Sequence, residues 1–550
     1  MNVVIDFSKD NRKIVKILKD DKTFYLSSAY FPVSESQKIA KNLKFEKDTI
    51  LVIGVGNPYL IREIALSNQY KKVIVIELLD DIYSSVLSDK DLKSLLMLPN
   101  IDIRFFDSFD VFKLFVSDLS DFDYYMHPSY KILIPFSDEI ENAIKHHLQN
   151  MLINKNTIKK FGRVWAKNFV SSIKFVSRTK GVFELFDKFK DLNSIVVGAG
   201  PSLDSDIHLV KKLYGNSLVI ASDTSFLSLL RNGIKPDIVV SVDPQSKNFL
   251  YLIYEKNYDN VIFVCDTLYL PLIYDFVPNE NIFLFDSPFR LWGEVRGVLG
   301  EKGEVFVGGS VVCTSIDLAF RLGSKNILLF GNDLSFTDYK MYCKNNIFEM
   351  SLMLEANFIN PYDPWTFISK YPLVRTLNNV GEEVFTDPRM LTFKKWIENY
   401  ISTTGAKVFN FTSKGLPLIG QSSIEQSLIE QSSIEQLHYD LSSFLNNNTS
   451  FRGDIEKIKQ TLISIPLYEK ENDNKVLFQI KDGVEKLRRE VFGSFDFSKI
   501  TQILEENLIL KYLIELSIQD TLLSKYSRED FAKALKFAVE YLNRILGKVL

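Results

Sequence analysis

The stretch Ser194–Asp206, SIVVGAGPSLDSD, has residue types suited to binding a phosphate group. An apolar run ends at Gly198 and Gly200, and Pro201 and Ser202 then lead into a helical pattern. Glycines let backbone amides approach a ligand closely, and the first N–H groups of a helix attract an anion. The stretch lacks G-K-[ST], which excludes a P-loop, and it lacks the third glycine of a dinucleotide fingerprint. It predicts a nucleotide or sugar-phosphate site, with a purely structural tight turn as the alternative.

A second glycine-hinged helix start is predicted in the stretch VFVGGSVVCTSIDLAFRLG. Gly308 and Gly309 precede Ser310, and the helical pattern that follows carries Thr314 and Ser315. If both helix starts face the same sheet edge, one can hold a nucleotide phosphate and the other the sugar.

Five apolar runs end in aspartate, and carboxylates at the ends of parallel strands would surround one crevice. These residues are Asp223, Asp243, Asp266, Asp286 and Asp333. Each could instead cap the helix that follows it. Asp223 and Asp333 stand out because other polar residues adjoin them. The set predicts a ligand rich in hydroxyls or amines.

A mostly parallel sheet with both faces covered would position these residues. Short β-branched runs recur through the middle of the chain, namely SIVVGAG, SLVIASD, DIVVSVD, VIFVCD, NIFLFD and NILLFGND. Unbroken apolar runs of this kind are typical of strands covered on both faces. We therefore predict a central, mostly parallel α/β domain over residues 191–420.

The N-terminal part reads as a Rossmann-like α/β domain over residues 1–150. An apolar run, the turn Gly54-Val55-Gly56, a helical pattern and a second apolar run ending at Glu77 form a βαβ half-unit. Glu77 is placed where a dinucleotide or methyl-donor site would have its ribose-binding acid. The third glycine of the fingerprint is missing, and Asn57 and Pro58, which follow Gly56, fit a helix start. A structural turn is the favoured interpretation, and a cofactor site is the alternative.

The remaining segments predict helices. Residues 151–190 read as a helical linker, and residues 421–550 as an α-helical C-terminal domain. The five-residue unit repeated in SSIEQSLIEQSSIEQ drifts around a helix without building an apolar stripe, so we interpret it as a linker.

Composition narrows the class of protein. The chain has 550 residues, 46% hydrophobic and 25% charged, with a net charge of -3. This is ordinary globular composition and gives no electrostatic reason to expect nucleic acid. Three cysteines without a CxxC pair, no signal peptide and no run of about 18 apolar residues predict a cytoplasmic protein without a membrane span. The five histidines lack zinc-ligand spacing, and Asp204 and Asp206 read as helix caps, so no metal is expected.

At the level of motifs the sequence resembles a known family. The stretches VVGAGPSLD, ASDTS, GIKPDIVVSVDP, GGSVVCTSIDLAFRLG and ILLFGNDLSFTD, in this order, resemble the motility accessory factor (Maf) family of flagellin glycosyltransferases. The central domain of that family is similar to bacterial sialyltransferases, and it shares the G-x-G-P-S-L hinge with the MptE-like hydroxymethylpterin diphosphokinases. The likeness is dense over residues 190–340 and weaker at VFNFTSKGLPLIG.

The resemblance implies a glycosyltransferase that moves a nonulosonic acid, pseudaminic or legionaminic, from its CMP-sugar to Ser or Thr of flagellin. That activity serves the flagellum and motility, with the CMP-sugar as donor substrate and no separate cofactor. Carried over by position, the nucleotide-sugar-binding residues are Gly198, Ala199, Gly200, Pro201, Ser202, Asp223, Thr224, Asp243, Gln245, Gly309, Ser310, Thr314 and Tyr339.

One departure from the family concerns the catalytic groups. In GNDLSFTDYKMYC, Tyr342 occupies the position of a family histidine that would act as general base. Tyr339 or Tyr342 is suited to the leaving phosphate, but with an ordinary pKa of about 10 neither is an easy base. The base stays unassigned, with Asp333 as a candidate. An MptE-like pterin diphosphokinase and a non-catalytic flagellin-binding chaperone are the alternative functions.

Overall fold

The computed structural model describes residues 2–43, 47–67, 70–119, 122–245, 250, 258–357, 362–421, 451–468, 473–493, 497–518 and 528–549. The chain divides into two compact units, residues 1–157 and 158–550. In the described ranges no helix has both the length and the apolar content needed to cross a lipid bilayer. The five-residue repeat at 422–436 falls outside the described residues.

The first unit contains two sheets. Strands β1 (Asn2–Phe7), β2 (Lys13–Lys19) and β3 (Lys22–Tyr25) pair antiparallel in that order. Strands β4 (Thr49–Ile53), β5 (Lys72–Glu77), β6 (Ile101–Phe105) and β7 (Asp123–Met126) form a parallel sheet in the order β6-β5-β4-β7. The helices are α1 (Pro32–Asn42), α2 (Pro58–Leu66), α3 (Asp80–Ser88), α4 (Lys90–Leu95), α5 (Phe109–Asp118) and α6 (Pro128–Leu133), and α7 (Ser137–Val176) follows. The predicted βαβ half-unit is β4-α2-β5.

The chain itself fills the glycine turn after β4. Gly54 has a φ of 103°, and a Cβ there would lie 2.2 Å from the Tyr130 ring. The Tyr130 hydroxyl accepts a hydrogen bond from Gly56 N (3.1 Å) and donates one to Glu77 Oε2 (2.6 Å). Glu77 is fully buried, and its carboxylate also accepts from three backbone amides of this turn and of β5's end. The Tyr130 ring thus packs on the glycine turn and its hydroxyl binds the Gly56 amide, which favours the structural interpretation of this turn.

The second unit is built on an eight-stranded sheet in which every pairing is parallel. Its strands are β8 (Lys180–Gly181), β9 (Asn193–Val197), β10 (Ser217–Ser222), β11 (Ile238–Ser241), β12 (Ile262–Asp266), β13 (Ile282–Phe285), β14 (Asn326–Phe330) and β17 (Val408–Asn410). Between β14 and β17 the chain forms a separate antiparallel hairpin of β15 (Val374–Leu377) and β16 (Glu383–Thr386). The spatial order is β17-β14-β9-β10-β11-β12-β13-β8. Every residue of β10 to β13 is buried, as continuous apolar runs require.

Helices cover this sheet and continue to the C-terminus. They are α8 (Leu203–Leu213), α9 (Asp223–Arg231), α10 (Ile273–Phe276), α11 (Arg290–Leu299), α12 (Val311–Arg321), α13 (Ile347–Glu355), α14 (Pro364–Ile368), α15 (Pro388–Thr404), α16 (Arg452–Ile463), α17 (Asp473–Phe492), α18 (Phe497–Glu506), α19 (Leu508–Ile518) and α20 (Arg528–Val549). The mixed α/β fold with a helical C-terminal region is confirmed. Part of the expected linker 151–190 is an edge strand, because β8 pairs with β13.

The strand order identifies where a ligand would bind. From β9 the sheet grows in one direction through β10 to β13, and β14 lies on the opposite side of β9. In an open parallel sheet, ligands bind outside the carboxyl ends of the strands at such a reversal. The residues that follow β9 and β14 therefore border the expected crevice.

Buried charges fix helix α16 to this sheet. Asp237 precedes β11 and is fully buried, and it pairs with Lys459 Nζ (3.0 Å) and with the Arg452 guanidinium. It also accepts a hydrogen bond from Val219 N (2.9 Å). Lys180, likewise buried, donates to the last carbonyls of α16, with Nζ 2.9 Å from Leu462 O. The C-terminal region is therefore attached to the central sheet by specific charged contacts.

Candidate functional site

The glycines of the hinge after β9 allow two loops to pack against each other. Gly200 N donates to Gly331 O (2.8 Å), and Gly198 N donates to Phe330 O (2.9 Å). A Cβ at Gly198 would lie 2.4 Å from Gly331 O, and one at Gly200 would lie 2.0 Å from Asp333 Oδ1. Both glycines are thus required by the close approach of the loop after β14.

The Asp333 carboxylate accepts hydrogen bonds from Ser202 at the start of α8. The donors are Ser202 N (3.0 Å) and Ser202 Oγ (2.6 Å). Burial raises the pKa of Asp333 to about 6, although the hydrogen bonds from Ser202 and Thr337 act in the opposite direction. The amide donors at Gly200 and Ser202, assigned from the sequence to a phosphate, are therefore bound to the chain's own carbonyl and carboxylate. The alternative interpretation of Asp333 was a cap for the helix after its own strand, but its carboxylate instead binds the start of the helix after β9.

Replacing Gly200 with alanine is expected to lower the free energy of unfolding by about 1–3 kcal/mol. The added methyl group would overlap a buried carboxylate that is already held by two hydrogen bonds. Urea denaturation followed by circular dichroism measures the change. Gly297→Ala is the matched control, because the added Cβ in α11 would have no atom within 4 Å apart from its chain neighbours and the backbone of its own helix. Equal stability of the two variants would contradict the role assigned to the hinge.

The two aspartates of the first turn of α8 hold neighbouring loops. Asp204 Oδ1 accepts from Lys344 N (2.9 Å), and Asp206 Oδ2 accepts from Ser413 N (3.0 Å). The sequence predicted that both aspartates cap their own helix. Their carboxylates instead connect α8 to two other segments of the chain by hydrogen bonds. Among the residues that the structure describes, no group of three or more His, Cys, Asp or Glu side chains is arranged to hold a metal ion.

Asp223 is a buried carboxyl group surrounded by hydroxyl groups. Ser222 caps α9 through a bond from Ser225 N, so Asp223 is not needed as the cap. Its carboxylate accepts from Thr224 Oγ1 (2.9 Å) and from Ser241 Oγ. Burial raises the pKa of Asp223 to about 6, the two hydroxyls oppose this, and the nearby Asp243 carboxylate adds to it. A carboxyl with this pKa is suited to exchanging protons near neutral pH.

The other strand-end residues have local partners. Asp243 accepts from Gln245 N and from Gln245 Nε2, both at 3.0 Å, and both residues are half-buried. Asp266 accepts from Leu268 N (2.7 Å), and Asp286 accepts from the Trp292 indole N–H (2.7 Å). For Asp266 and Asp286 the local hydrogen bonds explain the residue type without a ligand.

The second predicted helix start lies beside the hinge. A Cβ at Gly198 would be 3.2 Å from Val312, in the first turn of α12. Gly309 has a φ of 82°, and Ser310 makes no side-chain cap hydrogen bond to α12. Thr314 is fully buried and its hydroxyl is 3.5 Å from Ser310 O, so it faces its own helix. At this start the half-exposed Ser310 and the α12 amides are better placed for a phosphate than Thr314.

The loop after β14 brings Tyr342 to the hinge. Cys343 N donates to Ala199 O (2.9 Å), which fixes the adjacent Tyr342. Burial raises the pKa of Tyr342 to about 12; Tyr371, Asp223 and Asp243 also raise it, whereas Arg389 lowers it. Its hydroxyl is therefore a hydrogen-bond donor at neutral pH and not a base.

Tyr339 has a different environment. Asp338 and Tyr339 have φ angles of 51° and 57°, which non-glycine residues rarely adopt, and such strain concentrates at functional sites. The Tyr339 side chain is 58% exposed and its ring lies 5.7 Å from Trp365 and 6.1 Å from Phe385. Tyr339 therefore lies in an exposed aromatic cluster, whereas the Asp223 and Asp243 carboxylates help to raise the pKa of Tyr342.

Two residues of this region were missed from the sequence. Arg389 lies in the first turn of α15, and its guanidinium stacks 4.1 Å from the centre of the Tyr371 ring. Both influence the pKa of Tyr342. The only signal was the helix start TDPRM, in which an arginine follows a capping aspartate and a proline.

The second unit is thus a doubly wound α/β protein with its candidate site at the switch point between β9 and β14. Residues 167–339 match the family model described as "6-hydroxymethylpterin diphosphokinase MptE-like". In fold, the chain is similar to the structure of a Maf glycosyltransferase from Magnetospirillum magneticum AMB-1, with a TM-score of 0.55 and 14% identity over 100% of this chain and 91% of that chain. These comparisons confirm the resemblance to Maf and MptE-like proteins that the motifs indicated.

Two relatives in Treponema pallidum (strain Nichols) are similar in sequence, and both are called uncharacterized proteins. One is 25% identical over 143 residues, which cover 25% of this chain and 62% of the relative. The other is 26% identical over 211 residues, which cover 37% of this chain and 35% of the relative. The matches therefore span less than two thirds of either relative.

Proposed function

We propose that the chain is a glycosyltransferase that transfers a nonulosonic acid of the pseudaminic or legionaminic type from a CMP-sugar to Ser or Thr hydroxyls of flagellin. The Maf glycosyltransferase fold and the sequence motifs support this proposal. The observation that carries it is the presence, at one sheet edge, of a buried carboxyl of raised pKa, Asp223, and of a tyrosine that stays protonated, Tyr342, whose pKa the Asp223 carboxylate helps to raise. Transfer of a sugar needs both a proton acceptor and a donor to the leaving group.

Asp223 is proposed as the general base. The acceptor hydroxyl oxygen attacks the anomeric carbon, the bond from that carbon to the CMP phosphate oxygen breaks, and the hydroxyl proton passes to the Asp223 carboxylate. Asp333 is a positioning residue in this scheme, because both of its oxygens hold Ser202 at the hinge. This replaces Asp333 as the candidate base.

In this proposal, the Tyr342 hydroxyl and the N-terminus of α12 bind the departing phosphate. Charge builds up on the departing phosphate, and donors placed in advance stabilise it. The Tyr342 hydroxyl supplies one donor, and the Gly309–Ser310 turn lies at a helix N-terminus, which favours an anion.

Tyr342→Phe is expected to lower kcat about 10- to 100-fold with little change in thermal stability, since only one hydroxyl is removed. Steady-state kinetics with a CMP-sugar donor and flagellin measures this. Tyr339→Phe removes the same atom from an exposed ring and is expected to keep most of the activity. The reverse order of the two variants would assign the phosphate contact to Tyr339.

An MptE-like diphosphokinase is the second candidate, favoured by the match of residues 167–339. Thermal shift with CMP, CDP, UDP and ATP with Mg²⁺ separates the two. The transferase is expected to be stabilised by CMP, as any ligand that binds only the native state raises Tm. Stabilisation by ATP with Mg²⁺ alone would contradict the transferase, and no response to any nucleotide would favour a non-catalytic flagellin chaperone.

A further inference from the structure

Arg389 is a rigidly held cation with an exposed face. Its Nε and Nη2 atoms lie 3.1 and 2.6 Å from Asp387 Oδ2, and Asp387 is fully buried. The guanidinium also lies over the Tyr371 ring, whereas 51% of the side chain is exposed. A guanidinium has five N–H donors, so donors remain for a further acceptor. Stacking and a fixed partner lower the entropy that such a side chain loses when it binds an anion.

The start of α15, which carries Arg389, is fixed against the loop after β14. Thr386 Oγ1 donates to Leu334 O (2.7 Å), and Phe336 N donates to Phe385 O (2.7 Å). The Phe336 ring also stacks on Tyr371, at 6.0 Å between centroids. The cation is therefore held beside the residues that follow Asp333.

The same helix contacts the second glycine hinge. A Cβ at Gly309 would lie 3.1 Å from Phe393, one turn of α15 beyond Arg389. Further along, Tyr400 donates to Asp317 Oδ1 in α12 (2.7 Å). Helix α15 thus places Arg389 between the α12 start and the loop that carries Tyr342.

We propose that Arg389 binds an oxyanion of the donor substrate, either the CMP phosphate or the carboxylate of an acidic sugar. This inference rests on the proposed function and assigns to it a residue that no motif indicated. The stacked guanidinium supplies the charge, Tyr342 supplies a neutral donor, and Asp387 keeps the guanidinium plane fixed. Arginine suits this task because its planar fork matches the geometry of phosphate and carboxylate oxygens.

Isothermal titration calorimetry on the full chain tests this with three probes: cytidine, CMP and CMP-N-acetylneuraminic acid. For Arg389→Gln we expect affinity for an anionic probe to fall about tenfold or more, the loss of a charged hydrogen bond, while cytidine is unaffected. Arg389→Lys keeps the charge and should lose less. Arg375→Gln is the matched control, because Arg375 also stacks on an aromatic ring, 5.7 Å from the centre of Phe385, on the β15–β16 hairpin. Its affinities should equal those of the wild type.

The outcomes separate the sources of the oxyanion. Equal weakening of CMP and CMP-N-acetylneuraminic acid assigns Arg389 to the phosphate, and weakening of the sugar nucleotide alone assigns it to the carboxylate. Unchanged affinity of Arg389→Gln for every probe that the wild type binds would overturn the inference and leave the transferase proposal standing. A wild-type protein that binds no cytidine nucleotide would overturn both. Circular dichroism and Tm of each variant show whether it has kept the native fold.

Discussion

Replacing Asp223 with asparagine is expected to lower the transfer rate about 10²- to 10⁴-fold, the range that general acid–base groups contribute. Asparagine fits the same space and can still bond to Ser241 and Thr224, but it accepts no proton at neutral pH. The pKa of Asp223 is raised to about 6, so wild-type kcat should increase with pH through about 6 and then level off. Single-turnover kinetics across pH 5 to pH 8 measures both effects.

The free energy of unfolding of Asp223→Asn is the control, because it shows whether a lower transfer rate comes from a loss of stability. An aspartate whose folded-state pKa is raised takes up protons on folding, so its contribution to stability falls as pH rises from its unfolded pKa, near 4, to about 6. At pH 7 the charged side chain opposes folding, and Asp223→Asn should be at least as stable as the wild type. Asp223→Asn with more than about half of the wild-type rate would mean that another group is the base.

Replacing Asp237 with alanine is expected to lower the free energy of unfolding by about 3–5 kcal/mol, as for other buried ion pairs that lose one partner. Lys459 is only 2% exposed and would lose its buried carboxylate partner, and Arg452 would lose its contact with the same carboxylate. The amide of Val219 would also lose its acceptor. Urea denaturation of the full chain measures the change.

Glu456→Ala is the matched control for Asp237. Glu456 contacts the same two cations, but its side chain is 32% exposed and solvent replaces the lost contacts. We expect a change below about 1 kcal/mol for this variant. If Asp237→Ala were no more harmful than Glu456→Ala, the attachment of α16 to the sheet would not depend on the buried charges.

The central strands could be predicted from the sequence because their environment dictates their composition. Strands β10 to β13 are buried at every position, so each appears as an unbroken apolar run that ends at a polar residue. The edge strands gave no such signal. Strand β8 has only two residues, Lys180 and Gly181, and its lysine is buried because carbonyls at the end of α16 accept its hydrogen bonds.

Several contacts of the site could not be predicted, because they join residues far apart in the chain. Ser202 and Asp333 are 131 positions apart, and no local pattern indicates that the Asp333 carboxylate accepts the Ser202 amide at the start of α8. The sequence predicted that the glycine hinge lets its backbone approach a ligand, whereas in the structure the group that approaches it is the Gly331 carbonyl. Arg389 belongs to a segment whose relation to the sheet is set by tertiary contacts such as Thr386 with Leu334.

For Tyr342, the sequence motifs predicted the position in the chain but not the residues that surround it. The resemblance placed it at the family's histidine position, and its ordinary pKa already argued against a role as base. The structure adds that burial raises the pKa of Tyr342 further, to about 12, and that Asp223 is close enough to contribute to the shift. The motif therefore identified the position of Tyr342 in the chain, whereas the residues around Tyr342 determine that its hydroxyl stays protonated.

Intact-mass analysis of flagellin tests the central claim most directly. Flagellin is co-expressed with a CMP-nonulosonate pathway and with the wild-type protein, Asp223→Asn or an empty vector. The proposal predicts mass increments of one or more nonulosonic acid residues with the wild type, and their absence or strong reduction with Asp223→Asn and with the vector. Flagellin of unmodified mass in the presence of the wild-type protein, with CMP-sugar detected in the same cells, would contradict it.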